Sequence, residues 1–152
     1  MDAVSAIRPI VPKPDELIAR ARAMIPSLAA RSTAQQKNRH VLPDVMAEMQ
    51  AAGFFHVLQP KRWGGYEMDL STFYEIQMAL GEGDMSAGWT YGTLGAVSWF
   101  VGLIDDRTAQ EVWGDDPNVL ICSSTMPAGS ATAADGGVRL SGHWRYASGC
   151  VH

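Results

Sequence analysis

GGVRLSGHWRYASGCVH, residues 136–152, alternates apolar and small polar side chains with the period of two that marks a β-strand. Ahead of it, NVLICSST (118–125) carries the same period, and the two stretches read as strands. Between them lies MPAGSATAADGG (126–137), rich in small residues, with Asp135-Gly136-Gly137 as a hairpin signal. Two strands alone are marginal in water, because a lone hairpin cannot bury its face. Residues 118–152 therefore read as the start of a β domain that is incomplete here.

Upstream of Pro117 the period changes to 3.6. PDELIARARAMIPSLAARSTAQQKNR places Leu17, Ala21, Met24 and Leu28 at helical spacing. Pro14 suits a helix start, with Asp15 and Glu16 at the positive end of the dipole. Pro26 inside this pattern predicts a kink or a break. LPDVMAEMQAAG gives a second helix, stopped at Gly53. FFHVLQPKRWGGYEM has no helical period and reads as a long ordered connection. DLSTFYEIQMALGEGD is the next helix, with Phe73, Ile76, Met78 and Leu80 expected inside. SAGWTYGTLGAVSWFVGLI follows, with Ser86 as its expected cap. In it Gly88, Gly92 and Gly95 fall on one face. Each glycine costs roughly 1 kcal/mol against alanine in a helix interior, so something must come close there. DDRTAQEVWGDD is a short amphipathic helix ending near Gly114.

The chain thus divides into an arm (1–13), a helical domain (14–117) and the opening of a β domain (118–152). It is mainly α, with no internal repeat and no low-complexity tract.

Its 152 residues are 47% hydrophobic and 18% charged, as in ordinary soluble domains. A net charge of −4 with no Lys/Arg cluster argues against a nucleic-acid ligand. The apolar stretch from Gly92 to Ile104 is broken by Gly and Ser and is too short for a membrane span. The N-terminus does not read as a signal peptide. A cytoplasmic location is expected, with Cys122 and Cys150 as free thiols. His40, His56, His143 and His152 are scattered, and no metal motif appears.

The motifs resemble the acyl-CoA dehydrogenase superfamily. QPKRWGGYEMD (59–69) resembles its P-x-x-x-G-G loop, and ICSSTMPAGSA (121–131) stands where a strand runs into a Pro-Gly-Ala-Gly-Ser loop. Within the superfamily SGHWRYASGC (141–150) is similar to the SGxWxFxSG string of two-component flavin-dependent aromatic monooxygenases, such as the phenolic secosteroid and 4-hydroxyphenylacetate hydroxylases. SAGW and EVWGDD fit the same group, and Ser-Ser-Thr lacks the acidic residue and second Pro-Gly of an acyl-CoA binder. The likeness runs from about residue 15 to 152 and covers the N-terminal portion of such proteins. The implied fold is their helical N-terminal domain followed by the first strands of a β-barrel-like middle domain.

The implied reaction hydroxylates an aromatic ring with O2 and reduced flavin, FMNH2 or FADH2, supplied by a separate flavin reductase. Self-association into a tetramer is implied for the full-length protein. The resemblance gives Ser148 a catalytic place beside the reactive flavin nitrogen, and it gives Ser123, Ser124, Tyr146 and Gly149 cofactor contacts. Trp89, Tyr91 and Trp99 fall on a helix that lines the substrate side.

Each position also has a plainer reading. Ser148 reads as a serine at a strand end, Ser123 and Ser124 as ordinary strand alternation, Gly149 as a turn, and the aromatics as helix or sheet packing. Where some monooxygenases of this type carry a histidine in mid-helix, this chain has Val97-Ser98, a departure that bears on phenol activation. Two alternatives stand beside this reading: an acyl-CoA dehydrogenase-like FAD oxidoreductase, and a non-catalytic truncated helical module. The chain by itself is expected neither to hold flavin tightly nor to turn over.

Overall fold

A computed structural model describes residues 11–152. The expected arm falls outside the described residues up to position 10; beyond it, Pro12 is buried and Lys13 opens the first helix. Five helices follow: α1 (Pro14–Asn38), α2 (Pro43–Ala51), α3 (Leu70–Gly83), α4 (Met85–Leu103) and α5 (Asp106–Trp113). A single antiparallel hairpin, β1 (Gly129–Ala134) and β2 (Gly137–Gly142), comes last.

Helix α1 starts at Pro14, whose missing amide would be unpaired there in any case, and the Glu16 carboxylate accepts the Lys13 amide at 3.1 Å. It continues through Pro26 without the expected break. The lost hydrogen bond is outweighed by packing, because Ile25 and Leu28, on either side of Pro26, both press on Gly83 of α3. Arg31 ties α1 to α2 by ion pairs to Glu48 (2.7 Å) and Asp44 (3.1 Å). The hydrogen bond to Glu48 holds the Arg31 pKa above its ordinary value.

The core is formed where α1, α3 and α4 lie side by side, with α2 and the Phe54–Leu58 segment closing one end. Leu17, Leu28, Val45, Met49, Phe54, Ile76 and Leu80 are wholly buried in it. Met78 is not inside as expected. It is 66% exposed, because it lies off the stripe that carries Phe73, Ile76 and Leu80. A second small cluster, Val97, Val101, Ala109 and Trp113, seats α5 on the end of α4.

The connection at 54–69 folds back on itself. The amides of Tyr66, Glu67 and Met68 bond to the carbonyls of His56, Gln59 and Val57. Helices α3 and α4 meet at Asp84, whose carboxylate accepts the Ala87 amide at 2.9 Å. Asp84 is therefore the cap of α4, and Ser86, the expected cap, already lies within the helix.

Residues 118–125 do not form the expected strand. Asn118 lies in a turn and 119–125 join no sheet among the described residues, while Leu120 and Ile121 pack back onto the two helical clusters. The first strand is instead the small-residue segment Gly129–Ala134. It pairs with Gly137–Gly142 across the Asp135-Gly136 turn, and the expected second strand stops short of His143–Ser148. All twelve hairpin residues are exposed. No helix among the described residues is long and apolar enough to cross a membrane.

Candidate functional site

The outward face of α4 carries Trp89, Thr93, Ala96 and Phe100, spaced four, three and four residues apart. Its inward face carries Ala87, Tyr91, Leu94 and Val101. Against the outward face lie two loop segments, Ser123–Met126 and the Tyr146–Ser148 turn. Together they enclose a groove of about 700 Å3, within the roughly 300–1,000 Å3 usual for small-molecule sites.

Each loop segment is held by identifiable contacts. Ser124 Oγ donates to the Arg145 carbonyl at 2.6 Å, joining the two segments. Tyr146 has a left-handed backbone (φ 60°) and a side chain 81% exposed. Ser148 sits in a turn closed by the Cys150 amide on the Ala147 carbonyl. Gly149 (φ 86°) presses on α4 so closely that a Cβ there would stand 2.5 Å from Leu94 Cδ2. Trp89 Nε1 donates to Ser148 Oγ at 3.2 Å. This pair also borders a second cavity, of about 340 Å3, lined by Gln35, Arg39, His40, Gly149 and His152.

Among the described residues no charged side chain lines the groove. Its walls are indole, phenyl and phenol rings with Val97, Ala96 and Met126, and one rim carries the hydroxyls of Ser123, Ser124, Thr125 and Ser148. Hydroxyls donate or accept as required. Such a surface suits a flat uncharged heteroaromatic ring with a polar edge. Among the described residues no group of three His, Cys, Asp or Glu could hold a metal.

Of the residues singled out from sequence, the groove brings together Trp89, Ser123, Ser124, Tyr146 and Ser148, with Gly149 behind them. Tyr91 and Trp99 are elsewhere. Tyr91 faces the core and is wholly buried among Phe54, Phe55 and Phe73. Burial pushes its phenol pKa well above the ordinary value, and its hydroxyl has no partner among the described residues. Trp99 lines a separate surface cavity with Pro60, Arg62 and Leu103. Both corrections have one cause: successive residues on a helix point about 100° apart, so aromatic type alone does not tell which wall a ring faces. Thr93, Ala96, Val97, Phe100, Thr125 and Met126 went unrecognised from sequence. The spacing of Trp89, Thr93, Ala96 and Phe100 is the signal that could have found the helical part of this set.

The glycine face of α4 lies against α3, where Gly88 meets Gly81, Gly92 meets Gln77 and Gly95 meets Phe73. What comes close is another helix.

No family model matches the chain. The flavin-dependent monooxygenase, oxygenase subunit HsaA, of Rhodococcus jostii (strain RHA1) is 35% identical over 130 residues, 86% of this chain and 34% of that protein. The FADH(2)-dependent resorcinol hydroxylase, oxygenase component, of Rhizobium sp. (strain MTP-10005) is 35% identical over 122 residues, 79% of this chain and 30% of that protein. The crystal structure of the HsaA monooxygenase from M. tuberculosis superposes with a TM-score of 0.90 at 33% identity, covering 93% of this chain and 38% of that one. The chain spans about a third of the length of the relatives it matches. Its five helices and hairpin reproduce the corresponding part of these acyl-CoA dehydrogenase-fold monooxygenases.

Proposed function

From the homology of this chain to oxygenase subunits of two-component flavin-dependent monooxygenases, we infer that the protein is such an oxygenase and that the groove on α4 is one wall of its reduced-flavin site. It would hydroxylate a small aromatic substrate. The observation that carries the reading is the groove's chemistry: aromatic and aliphatic walls, a hydroxyl rim and no charge among the described residues.

Reduced flavin, when bound, supplies the electrons with which O2 is activated to hydroxylate the ring. The chain's own residues bind and orient the flavin. Phe100 and Trp89 offer apolar surface to a flat ring. Ser123 and Thr125 present hydroxyls to its polar edge, whereas the Ser124 proton is already committed to the Arg145 carbonyl. Ser148 supplies a hydroxyl at the opposite segment, and Val97, Ala96 and Met126 extend the apolar wall along the ring.

A separate reductase delivers the reduced flavin, as FMNH2 or FADH2. We assign residues 14–117 to a helical domain and 118–152 to the opening of a β domain, within a subunit that self-associates as a tetramer in the cytoplasm. Exposed Cys122 and Cys150 remain thiols there. Tyr146 leaves one side of the groove open, so the chain by itself binds reduced flavin weakly and does not turn over.

The test is an anaerobic titration of the 15N-labelled chain with reduced FMN, followed by amide and indole shifts. The reading expects concentration-dependent shifts at Trp89, Ser123–Met126 and Ser148. Shifts scattered over the surface, or none, would overturn it.

A further inference from the structure

Trp89 is 61% exposed on α4, yet its indole N–H is not free. It donates to Ser148 Oγ at 3.2 Å, across 59 residues of sequence. An indole nitrogen can only donate, so Ser148 is necessarily the acceptor in this bond. A serine hydroxyl has one proton and two lone pairs. With one lone pair facing Trp89, the proton must point elsewhere, and Ser148 Oγ has no second protein partner among the described residues. Ser124 is the converse case, because its proton is committed to the Arg145 carbonyl and it can only accept. The two serines of the rim thus enter the groove with opposite polarity.

The backbone of Ser148 is fixed as well. Gly149 is seated on Leu94, and the Ala147–Cys150 turn is closed by a backbone hydrogen bond. Trp89 and Leu94 both belong to α4, so one rigid helix sets both the position of Ser148 and the direction of its hydroxyl.

We propose that Trp89 is a positioning residue, whose indole N–H orients the Ser148 hydroxyl so that its proton points into the groove as a donor to the reduced flavin ring. This rests on the flavin reading given above. The Trp89 N–H acts through Ser148, so the contribution of that N–H exists only while the hydroxyl is present, whereas the apolar surface of the ring is kept largely by phenylalanine.

The experiment is a double-variant cycle on the 15N-labelled chain, with Trp89→Phe, Ser148→Ala and the pair together. Trp89→Phe keeps an aromatic ring at an exposed position, and circular dichroism reports whether each variant keeps its helices. The chain has five tryptophans, and loss of one indole resonance in Trp89→Phe assigns the signal. Before any flavin is added, Ser148→Ala should move the Trp89 indole proton upfield as its hydrogen bond is lost. Anaerobic titration with reduced FMN should then show each single variant binding roughly fivefold more weakly, and the double variant no more weakly than Ser148→Ala. An indole proton unmoved by Ser148→Ala, or a double variant weakened by the product of the two single effects, overturns the role of Trp89. In that event, unimpaired binding by the unaltered chain leaves the flavin reading standing. If the unaltered chain does not bind reduced FMN, both fall.

Discussion

Gly88 on α4 lies directly on Gly81 of α3: a Cβ at Gly88 would stand 2.7 Å from the Gly81 Cα and 2.8 Å from its nitrogen. The two helices touch backbone to backbone at this point. That contact sets the position of α4, and so of the groove residues on its outer face.

Gly88→Ala gains about 1 kcal/mol of helix propensity and meets backbone that cannot move aside, an overpacking cost of about 2–3 kcal/mol, the upper part of the usual range. The expected net loss is about 1–2 kcal/mol, read as a lower urea midpoint at unchanged slope. A variant as stable as the parent would mean that the helices are not in contact here.

Asp84 caps α4, and Ser86 does not. Asp84→Ala should cost about 1–2 kcal/mol in thermal unfolding, as for other lost caps. Ser86→Ala should change stability by less than about 0.5 kcal/mol. The reverse ranking would restore the cap that the sequence alone suggests.

Tyr91 carries a buried hydroxyl with no partner among the described residues. Tyr91→Phe removes it and should leave stability unchanged or raise it by about 1 kcal/mol. The pH dependence follows from the same burial. Above the ordinary tyrosine value of 10.0 the unfolded chain releases the Tyr91 proton, while the folded chain retains it. The unfolded state then binds fewer protons, so stability is intact below pH 10 and falls as pH rises beyond it. Tyr66, also raised mainly by burial, acts in the same direction. The alkaline loss should be smaller in Tyr91→Phe, which denaturant titrations at pH 9 and 11 would measure.

The helices were legible in the sequence because their signals are local. The spacing of Leu17, Ala21 and Leu28, Pro14 at a start and Gly53 past an end each act within a few residues. The turn at Asp135-Gly136 was legible for the same reason. Strand identity was not, because it needs a partner. Val119–Ser124 alternates well and pairs with no strand among the described residues, whereas Ser130–Ala134, which looks like loop, pairs with Gly137–Ser141. The two loop segments of the candidate site were found through motif resemblance. Its helical wall was only partly found: Trp89 was singled out, whereas Tyr91 and Trp99, two residues before Thr93 and one before Phe100, point away from the groove.

Trp99 and Phe100 are adjacent rings with different duties. Phe100→Ala should weaken reduced-flavin binding by about 3–10-fold, the worth of one aromatic contact. Trp99→Phe should leave it unchanged. Equal effects in an anaerobic shift titration would place the ring somewhere other than the α4 groove.

The central claim is that the groove formed by Trp89, Phe100, Ser123–Met126 and Ser148 receives the reduced flavin ring. Intermolecular nuclear Overhauser effects between reduced FMN and the anaerobic chain test it most directly. The account predicts cross-peaks from the flavin ring methyls to the side chains of Val97, Phe100 and Met126. Binding with cross-peaks confined to other surfaces, such as the exposed hairpin or the cavity beside Trp99, would contradict it.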